Sequence, residues 1–344
     1  MKKIYYLISL CTLITVIMAL MTGCATSPIS SEKAAGGEYV WPPPPETPRI
    51  KWLTQWSNRL DFGRQGGLFN LLVGEEKIEK LKRANGVVAD SAGSVYVADS
   101  ENGVIFVFDQ EKKTLRFLGF GTLAGPIGLA IDNKKGVVYV SDARLKRVIG
   151  FDKERNSIVM NIGAPGEFQN PSGMVFDELR DRLYVADARN HVVKVFDKDG
   201  KPILSIGKRG SGDGEFNFPS YLALDRNGNL YVVDSFNFRV QIFDPNGKFI
   251  KKFGKIGDAS GSFSRPNGIG VDSDDHIYVV DAAFNNFQIF DNNGKLLLWI
   301  GNAGRNPGEF YLPSGMYIDK QDRIYVTDTF NQRVQVFQYL KEKK

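Results

Sequence analysis

Six aspartates occupy one position of a recurring phrase, hydrophobic-Tyr-Val-x-Asp: Asp99, Asp142, Asp187, Asp234, Asp281 and Asp328. A set of carboxylates could hold a cation or exchange protons with a substrate. A carboxylate that recurs at one repeat position is better explained as a cap, accepting N–H bonds from the turn that follows. Arg239 and Arg333, each five residues beyond such an aspartate, are spaced to pair with it. The turns opening at Asp197, Asp244 and Asp291 begin like calcium loops, but the twelfth position, where a bidentate carboxylate belongs, is Lys255 counted from Asp244 and Asn302 counted from Asp291. Their Asp-Gly and Asn-Gly pairs supply the positive φ of hairpin turns. The two histidines, His191 and His276, lie on opposite sides of a Tyr-Val strand in their repeats, so they sit about 17 Å or more apart and share no metal ion. Both cysteines, Cys11 and Cys24, precede the repeats, which leaves the body without thiolate nucleophile, disulfide or zinc-thiolate site. The sequence therefore nominates no catalytic residue, no metal ligand and no cofactor.

The elements that carry these residues repeat. Each copy opens with a Pro-x-Gly-like turn and an apolar run ending in Asp: PIGLAID, PSGMVFD, PSYLALD, PNGIGVD and PSGMYID, with ANGVVAD as the first copy. The Tyr-Val-x-Asp strand follows, then a third strand such as RVQIFD, a turn, and a fourth strand such as KFIKKFG. The aspartates of successive copies are 43, 45, 47, 47 and 47 residues apart. Short β-branched runs bounded by Gly, Asn, Asp and Pro are strands joined by hairpins. A four-stranded unit repeated radially is a propeller blade. The expected fold is all-β: a six-bladed β-propeller of four-stranded antiparallel blades. Copy six stops at RVQVFQYL without a fourth strand, and residues 49–56 (RIKWLTQW) have the length and alternation to supply it, closing the ring and removing an open sheet edge. Residues 57–82 then bridge to the first repeat as an insert with helical character.

The chain of 344 residues is 42% hydrophobic and 24% charged, and its net charge of +5 is spread along the sequence, so no nucleic-acid footprint stands out. Met1-Lys2-Lys3, an uncharged run over residues 4–21 and Thr22-Gly23 before Cys24 resemble a bacterial lipoprotein signal peptide. That resemblance implies cleavage before Cys24 and a diacylglycerol on its thiol. An uncleaved membrane-spanning helix is the rival reading of the same run. Either way the body lies outside the cytoplasmic membrane, and Ala25 after the cysteine points to the outer membrane of a two-membrane cell. Residues 24–48, with four consecutive prolines, read as a semi-rigid tether. The expected division is residues 1–23 signal peptide, 24–48 lipid-anchored tether and 49–344 propeller.

From Arg83 to about Tyr339 the copies resemble NHL repeats, close to Pro-x-Gly-Ile-Ala-Val-Asp, Gly-Asn-Ile-Tyr-Val-Ala-Asp and Asn-x-Arg-Val-Gln-x-Phe. Copy four carries Asp234, Asn237, Arg239, Val240, Gln241 and Phe243, and copy six carries Asp328, Asn331, Arg333, Val334, Gln335 and Phe337. Copy five departs with Phe284 and Asn286, and copy three with Val192 at the arginine position. With the lipoprotein signal, the whole chain resembles the NHL-repeat propeller lipoproteins of bacterial envelopes. That resemblance implies a fold more than a chemistry. Amidating lyases on similar propellers use several histidines, which are lacking here; calcium-dependent lactonases use Glu, Asn and Asp in the channel, for which Asn85, Asn267 and Glu101 are the nearest candidates.

What varies at fixed repeat positions carries the remaining information. Two residues beyond the aspartate stand Glu101, Arg144, Arg189, Phe236, Ala283 and Phe330. Arginine with exposed aromatics is the composition favoured at binding surfaces. Tyr221, where other copies have glycine, and Asn267 join them. The binding set expected around the channel mouth is thus Glu101, Arg144, Arg189, Tyr221, Phe236, Asn267 and Phe330. The function expected is a non-catalytic scaffold in the cell envelope, held to the membrane by a lipid on Cys24 and binding a protein, peptide or glycan, not nucleic acid. The alternative is a lactonase-like hydrolase or a lyase with a metal in the channel.

Overall fold

The computed structural model describes residues 37–62 and 80–341. Cys24, the signal segment 1–23 and most of the 57–82 insert lie outside the described residues. Among those described, no helix is long and apolar enough to cross a membrane.

Twenty-five strands form six antiparallel sheets. Blade 1 holds β3 (Ala84–Ala89), β4 (Val95–Asp99), β5 (Val104–Asp109) and β6 (Thr114–Leu118), and blade 2 holds β7 (Pro126–Asp132), β8 (Val137–Asp142), β9 (Arg147–Asp152) and β10 (Ile158–Ile162). Blade 3 comprises β11 (Pro171–Asp177), β12 (Arg182–Asp187), β13 (Val192–Phe196) and β14 (Pro202–Ile206); blade 4 comprises β15 (Pro219–Leu224), β16 (Leu230–Asp234), β17 (Arg239–Phe243) and β18 (Phe249–Phe253). Blade 5 is β19 (Pro266–Val271), β20 (Ile277–Asp281), β21 (Asn286–Phe290) and β22 (Leu296–Ile300). In blade 6, β23 (Met316–Ile318), β24 (Arg323–Asp328) and β25 (Arg333–Tyr339) are joined by β2 (Ile50–Trp56), with β1 (Val40–Trp41) outermost. The first strand of each blade touches the first strand of the next, and β23 returns to β3. The architecture is therefore the expected six-bladed ring.

Its apolar cores lie between blades. Tyr96 and Leu118 of blade 1, for example, pack with Leu129, Val138 and Phe151 of blade 2. Each fully buried side chain of this size contributes roughly 1.5–3 kcal/mol, and it does so only when the neighbouring blade is present. Ring closure is consequently a stability requirement. The N-terminal strand meets it in the expected place, Ile50 opposite Tyr339 and Trp56 opposite Val334.

One boundary differs from the sequence reading. Residues 37–48 are not a spacer: Val40 pairs with Lys51 and Trp41 with Ile50, adding a fifth strand to blade 6. Trp41 is only 2% exposed, its ring 5.8 Å from that of Phe337. The sequence signal was two residues long, too short for strand alternation to register beside four prolines. In the insert, Arg59–Phe62 form a short 3₁₀ turn, and residues 63–79 lie outside the description.

In blades 1, 2 and 5 the recurring aspartates are the caps their spacing implied; in blades 3, 4 and 6 the carboxylate takes no amide of the following 3₁₀ turn and holds the entry loop and the turn's asparagine side chain instead. Asp142 accepts from the amides of Ala124 and Gly125 at 2.7 and 3.0 Å, and from those of Arg144 and Leu145 at 3.0 and 2.9 Å. One carboxylate thus ties the loop entering a blade to the turn after its second strand. In blades 4 and 6 the arginine joins: Arg239 Nε donates to Asp234 at 2.8 Å and Arg333 Nε to Asp328 at 2.7 Å. Burial raises the Asp328 carboxyl above its ordinary range, against the pull of Arg333. The calcium-like turns are hairpins: Asp244 accepts from the amides of Asn246 and Lys248, both at 2.9 Å, while Gly247 takes φ +83°.

Candidate functional site

The propeller has two dissimilar ends. At one, the loops entering each blade meet the turns between second and third strands. At the other, the turns between first and second strands stand beside the outer hairpins.

On the first end, the capped turns hold side chains outward at fixed positions. In blades 3, 4 and 6 they are three-residue 3₁₀ turns, Ala188–Asn190, Ser235–Asn237 and Thr329–Asn331, each closed by a left-handed residue: His191, Phe238 or Gln332. Phe236 is 61% exposed and its ring centroid lies 4.9 Å from Phe218, which in turn lies 4.8 Å from His191. The Phe218 amide donates to His191 Nδ1 at 3.2 Å, so that nitrogen is an acceptor and the imidazole serves as a loop support. Phe330 pairs with Tyr311 at 5.6 Å, and the Arg83 guanidinium lies 5.8 Å from the Phe330 ring centre, joining blade 6 to blade 1. Arg144 donates to the Ala124 carbonyl at 3.0 Å. Glu101 and Arg189 are exposed tips of the same kind.

Electrostatics separate this rim from the rest of the surface. Lys82, Arg83, Arg144, Lys146, Arg189 and Arg265 are all exposed; the turns after the second strands add one carboxylate, Glu101, and the entry loops add Glu167, Asp213, Glu215, Asp258 and Glu309 farther out. None of the six cations makes an ion pair with a described residue. At the opposite end several cations are paired, Arg180 with Asp177, Arg226 with Asp275, Lys320 with Glu178, and Arg323 with Asp319.

Tyr221 and Asn267 do not belong to this rim. They sit on the first strands, where Gly86, Gly128, Gly173, Gly268 and Gly315 bring neighbouring backbones together. A Cβ at Gly128 would stand 2.0 Å from the Ser172 carbonyl oxygen, and one at Gly315 would stand 2.2 Å from that of Asn85. Tyr221, in the sixth such position, places its hydroxyl 3.5 Å from Ser314 Oγ, to which Asn267 Nδ2 donates at 3.1 Å. Burial pushes the Tyr221 hydroxyl up to about 12. These residues form a seal.

The seal corrects the expectation that the rim surrounds an open channel mouth. A cavity of about 600 Å³ runs along the axis from Tyr221 and Gly86, past the first strands, to Asn133, Glu178, Arg226 and Lys320 at the opposite end. Glu101, Arg144, Arg189, Phe236 and Phe330 are not among its walls. Repeat spacing alone could not tell which end was pinched, because closure depends on how near the first strands approach at the glycine level. Sequence reasoning also missed Phe218 and Tyr311, which precede the turn prolines, and Tyr317, which stands where other copies have Val88, Ala130, Val175, Ala223 and Gly270. Variation at a fixed position, the signal used for the rim, would have found all three.

As to metal chemistry, the amide of Asn85 donates to the Arg83 carbonyl and to Ser100 Oγ, that of Asn267 is engaged by Ser314, and Glu101 is a loop tip. Among the described residues, no three His, Cys, Asp or Glu side chains group as a metal-ligand set. His276 belongs to the far end, its Nδ1 2.9 Å from Asp272.

Fold and repeat together define an NHL-type β-propeller. The chain matches the 6-bladed beta-propeller family over residues 167–236, 222–287 and 271–343 and the NHL repeat over 81–108. It belongs to that 6-bladed β-propeller family. No curated protein matches the sequence. Similar solved structures include an auxiliary nutrient binding protein from Bacteroides thetaiotaomicron, at 14% identity and TM-score 0.61, covering 76% of this chain and 70% of that one. A gluconolactonase from Xanthomonas campestris is similar at 16% identity and TM-score 0.60, covering 76% and 87%. A virginiamycin B lyase from Staphylococcus aureus is similar at 14% identity and TM-score 0.57, covering 85% and 100%. At such identities the likeness is one of fold.

Proposed function

We propose that this chain is a lipid-anchored protein of the bacterial cell envelope whose propeller binds a macromolecular partner, a protein, peptide or glycan bearing acidic groups, at the arginine and aromatic rim. The observation that carries this reading is the set of unpaired rim cations around the exposed pairs Phe218–Phe236 and Tyr311–Phe330. Aromatics and arginines are the residues most often found at the energetic centre of interfaces. Because Asp142 holds the Leu145 amide, and Asp187, Asp234 and Asp328 hold the Asn190, Asn237 and Asn331 side chains of their turns, binding orders little chain, and the entropic cost of association is low. The anchor rests on the order of charge, apolar run and small residues before Cys24.

The test is crosslinking and capture from native membranes, with Arg144→Ala/Arg189→Ala set beside wild type. Loss of the captured partner at unchanged melting temperature is the expected result, since exposed loop substitutions shift stability little. Undiminished capture by the double variant sinks the rim assignment. Cys24→Ala is expected to abolish labelling by a radioactive fatty acid, and persistent labelling sinks the anchor.

A further inference from the structure

Contacts cross the axial cavity near each of its ends. At the inner end Tyr221 of blade 4 reaches Ser314 of blade 6. At the outer end Lys320 Nζ of blade 6 lies 2.9 Å from Glu178 Oε2 of blade 3, the blade diametrically opposite. Asn133 of blade 2 donates to the other oxygen of Glu178 at 2.7 Å. Burial works to raise the Glu178 carboxyl, but the bonds from Asn133 and Lys320 outweigh it and hold the group below its ordinary range. Glu178 is thus ionised and paired. Lys320 is 78% exposed in its side chain, so the bridge can open without moving a strand.

Between these contacts the first strands give apolar wall, Val88, Leu129, Val175 and Ile269 among it, with polar groups toward the mouth, and about 600 Å³ is the size of a site for a drug-sized molecule. The charged groups of the lining are bonded: Asp177 by Arg180, Asp272 by His276, Asp319 by Arg323, Arg226 by Asp275, Asp322 by Lys341, and Asp225 by the amides of Asn227 and Asn229, the Asn229 side chain and the Tyr231 hydroxyl. A charged ligand would find each of these groups already engaged and would lose its hydration. Tyr317 is among the lining residues, and its hydroxyl makes no hydrogen bond to a described residue, while burial, with Asp319 and Glu178 nearby, pushes its ionisation upward and keeps it protonated. Its ring packs beside Tyr325 at 6.3 Å and against the neighbouring interblade cores, at a level where the other blades carry Val88, Ala130, Val175, Ala223 and Gly270.

We propose that the axial channel is a binding site for a small, uncharged, largely apolar molecule with a hydrogen-bonding group for the Tyr317 hydroxyl, entering past the Lys320–Glu178 bridge that spans its mouth. This site is separate from the rim and independent of the envelope reading. Burial against the first strands holds such a ligand, and Tyr317 fixes its orientation.

The test uses full-length protein in detergent and a neutral photolabel, trifluoromethyl phenyl diazirine, with the labelled peptides mapped by mass spectrometry. Saturable labelling of the first-strand peptides is expected. Val175→Trp, which fills the cavity, should reduce it about tenfold or more. Lys320→Ala, a surface change, should speed labelling of those same peptides roughly threefold or more, by removing the bridge. Arg144→Ala/Arg189→Ala should leave it unaltered. Absence of channel labelling in wild type, or full labelling of a Val175→Trp protein with wild-type circular dichroism, overturns the site. If Val175→Trp does not fold, the Lys320→Ala rate decides: an unchanged rate overturns the proposal.

Discussion

The hydroxyl of Tyr221 lies 3.5 Å from Ser314 Oγ, linking blade 4 to blade 6 past the first strand of blade 5. Five glycines at the equivalent position let the remaining first strands touch backbone to backbone. A ring of six glycines would leave its middle open, and one tyrosine fills it. The propeller is therefore narrowed where its arginines and aromatics are displayed, and hollow toward the other end. The two ends offer different chemistry: a cationic and aromatic surface suited to a large partner, and a pocket with apolar first-strand walls suited to a small one.

Trp41 should matter as much as a core residue. It is buried against Phe337 and fits so closely over Gly308 that a Cβ there would stand 2.3 Å from the indole. Trp41→Ala is expected to cost about 3 kcal/mol, visible as a lower midpoint in urea with little change in slope. A midpoint equal to wild type would show that β1 adds nothing to ring closure.

Arg333 sits in a buried pair with Asp328 and also donates to the carbonyls of Arg305, Asn306 and Glu309. Removing it strands a carboxylate that burial already raises. Arg333→Ala should destabilise by about 3–5 kcal/mol. Blade 5 manages without an arginine because Asp281 draws its bonds from four amides, those of Ser264, Arg265, Ala283 and Phe284. Asn286→Ala, at the arginine position of that blade, should therefore cost far less than Arg333→Ala, and equal costs in denaturant titrations would contradict the account.

Much of the fold was legible because each copy repeats one solution: the aspartate and the Tyr-Val strand announce local structure six times over, and the Asp-Gly or Asn-Gly of the outer hairpin three times. Ring closure was legible for the same reason, as a strand missing from copy six and present at residues 49–56. The docking of Val40 and Trp41 was not, since two residues show no period. Which end of the channel is open was not legible either. It follows from interblade distances at Gly86, Gly128, Gly173, Gly268 and Gly315, where the sequence shows only that a side chain is lacking. Tyr221 was noticed as an exception at that level, but its role was misplaced, because an aromatic at a variable position reads equally as a binding group or a plug.

His276 carries the pH dependence that can be assigned a sign. Its bond to Asp272 raises the imidazole above 6.5, burial opposing. The protonated form is therefore favoured in the folded state. Its contribution to stability is fully present below the unfolded value and is lost as pH rises through the raised folded one. The melting temperature of wild type minus that of His276→Gln should be larger near about pH 5.5 than near about pH 9. A difference that is constant across that range would mean that the Asp272 bond does not discriminate between protonation states.

The rim aromatics make the sharpest contrast between a working surface and loose loop tips. Phe236 is 61% exposed and Phe330 is 49% exposed, so neither substitution to alanine removes much packing from the fold, and each should shift stability by less than about 1 kcal/mol. If the rim binds a partner through them, Phe236→Ala and Phe330→Ala should each weaken capture by roughly tenfold or more, the loss typical of a central interface aromatic. Their effects should differ in salt dependence from that of Arg144→Ala/Arg189→Ala. Raising ionic strength should weaken binding by wild type and by the phenylalanine variants alike, because the unpaired cations remain, while the double arginine variant should respond less. Affinity measured with the captured partner at low and high salt checks this. An identical salt response in all the proteins would mean that the cations do not face the partner, and the rim would then be reduced to its two aromatic pairs.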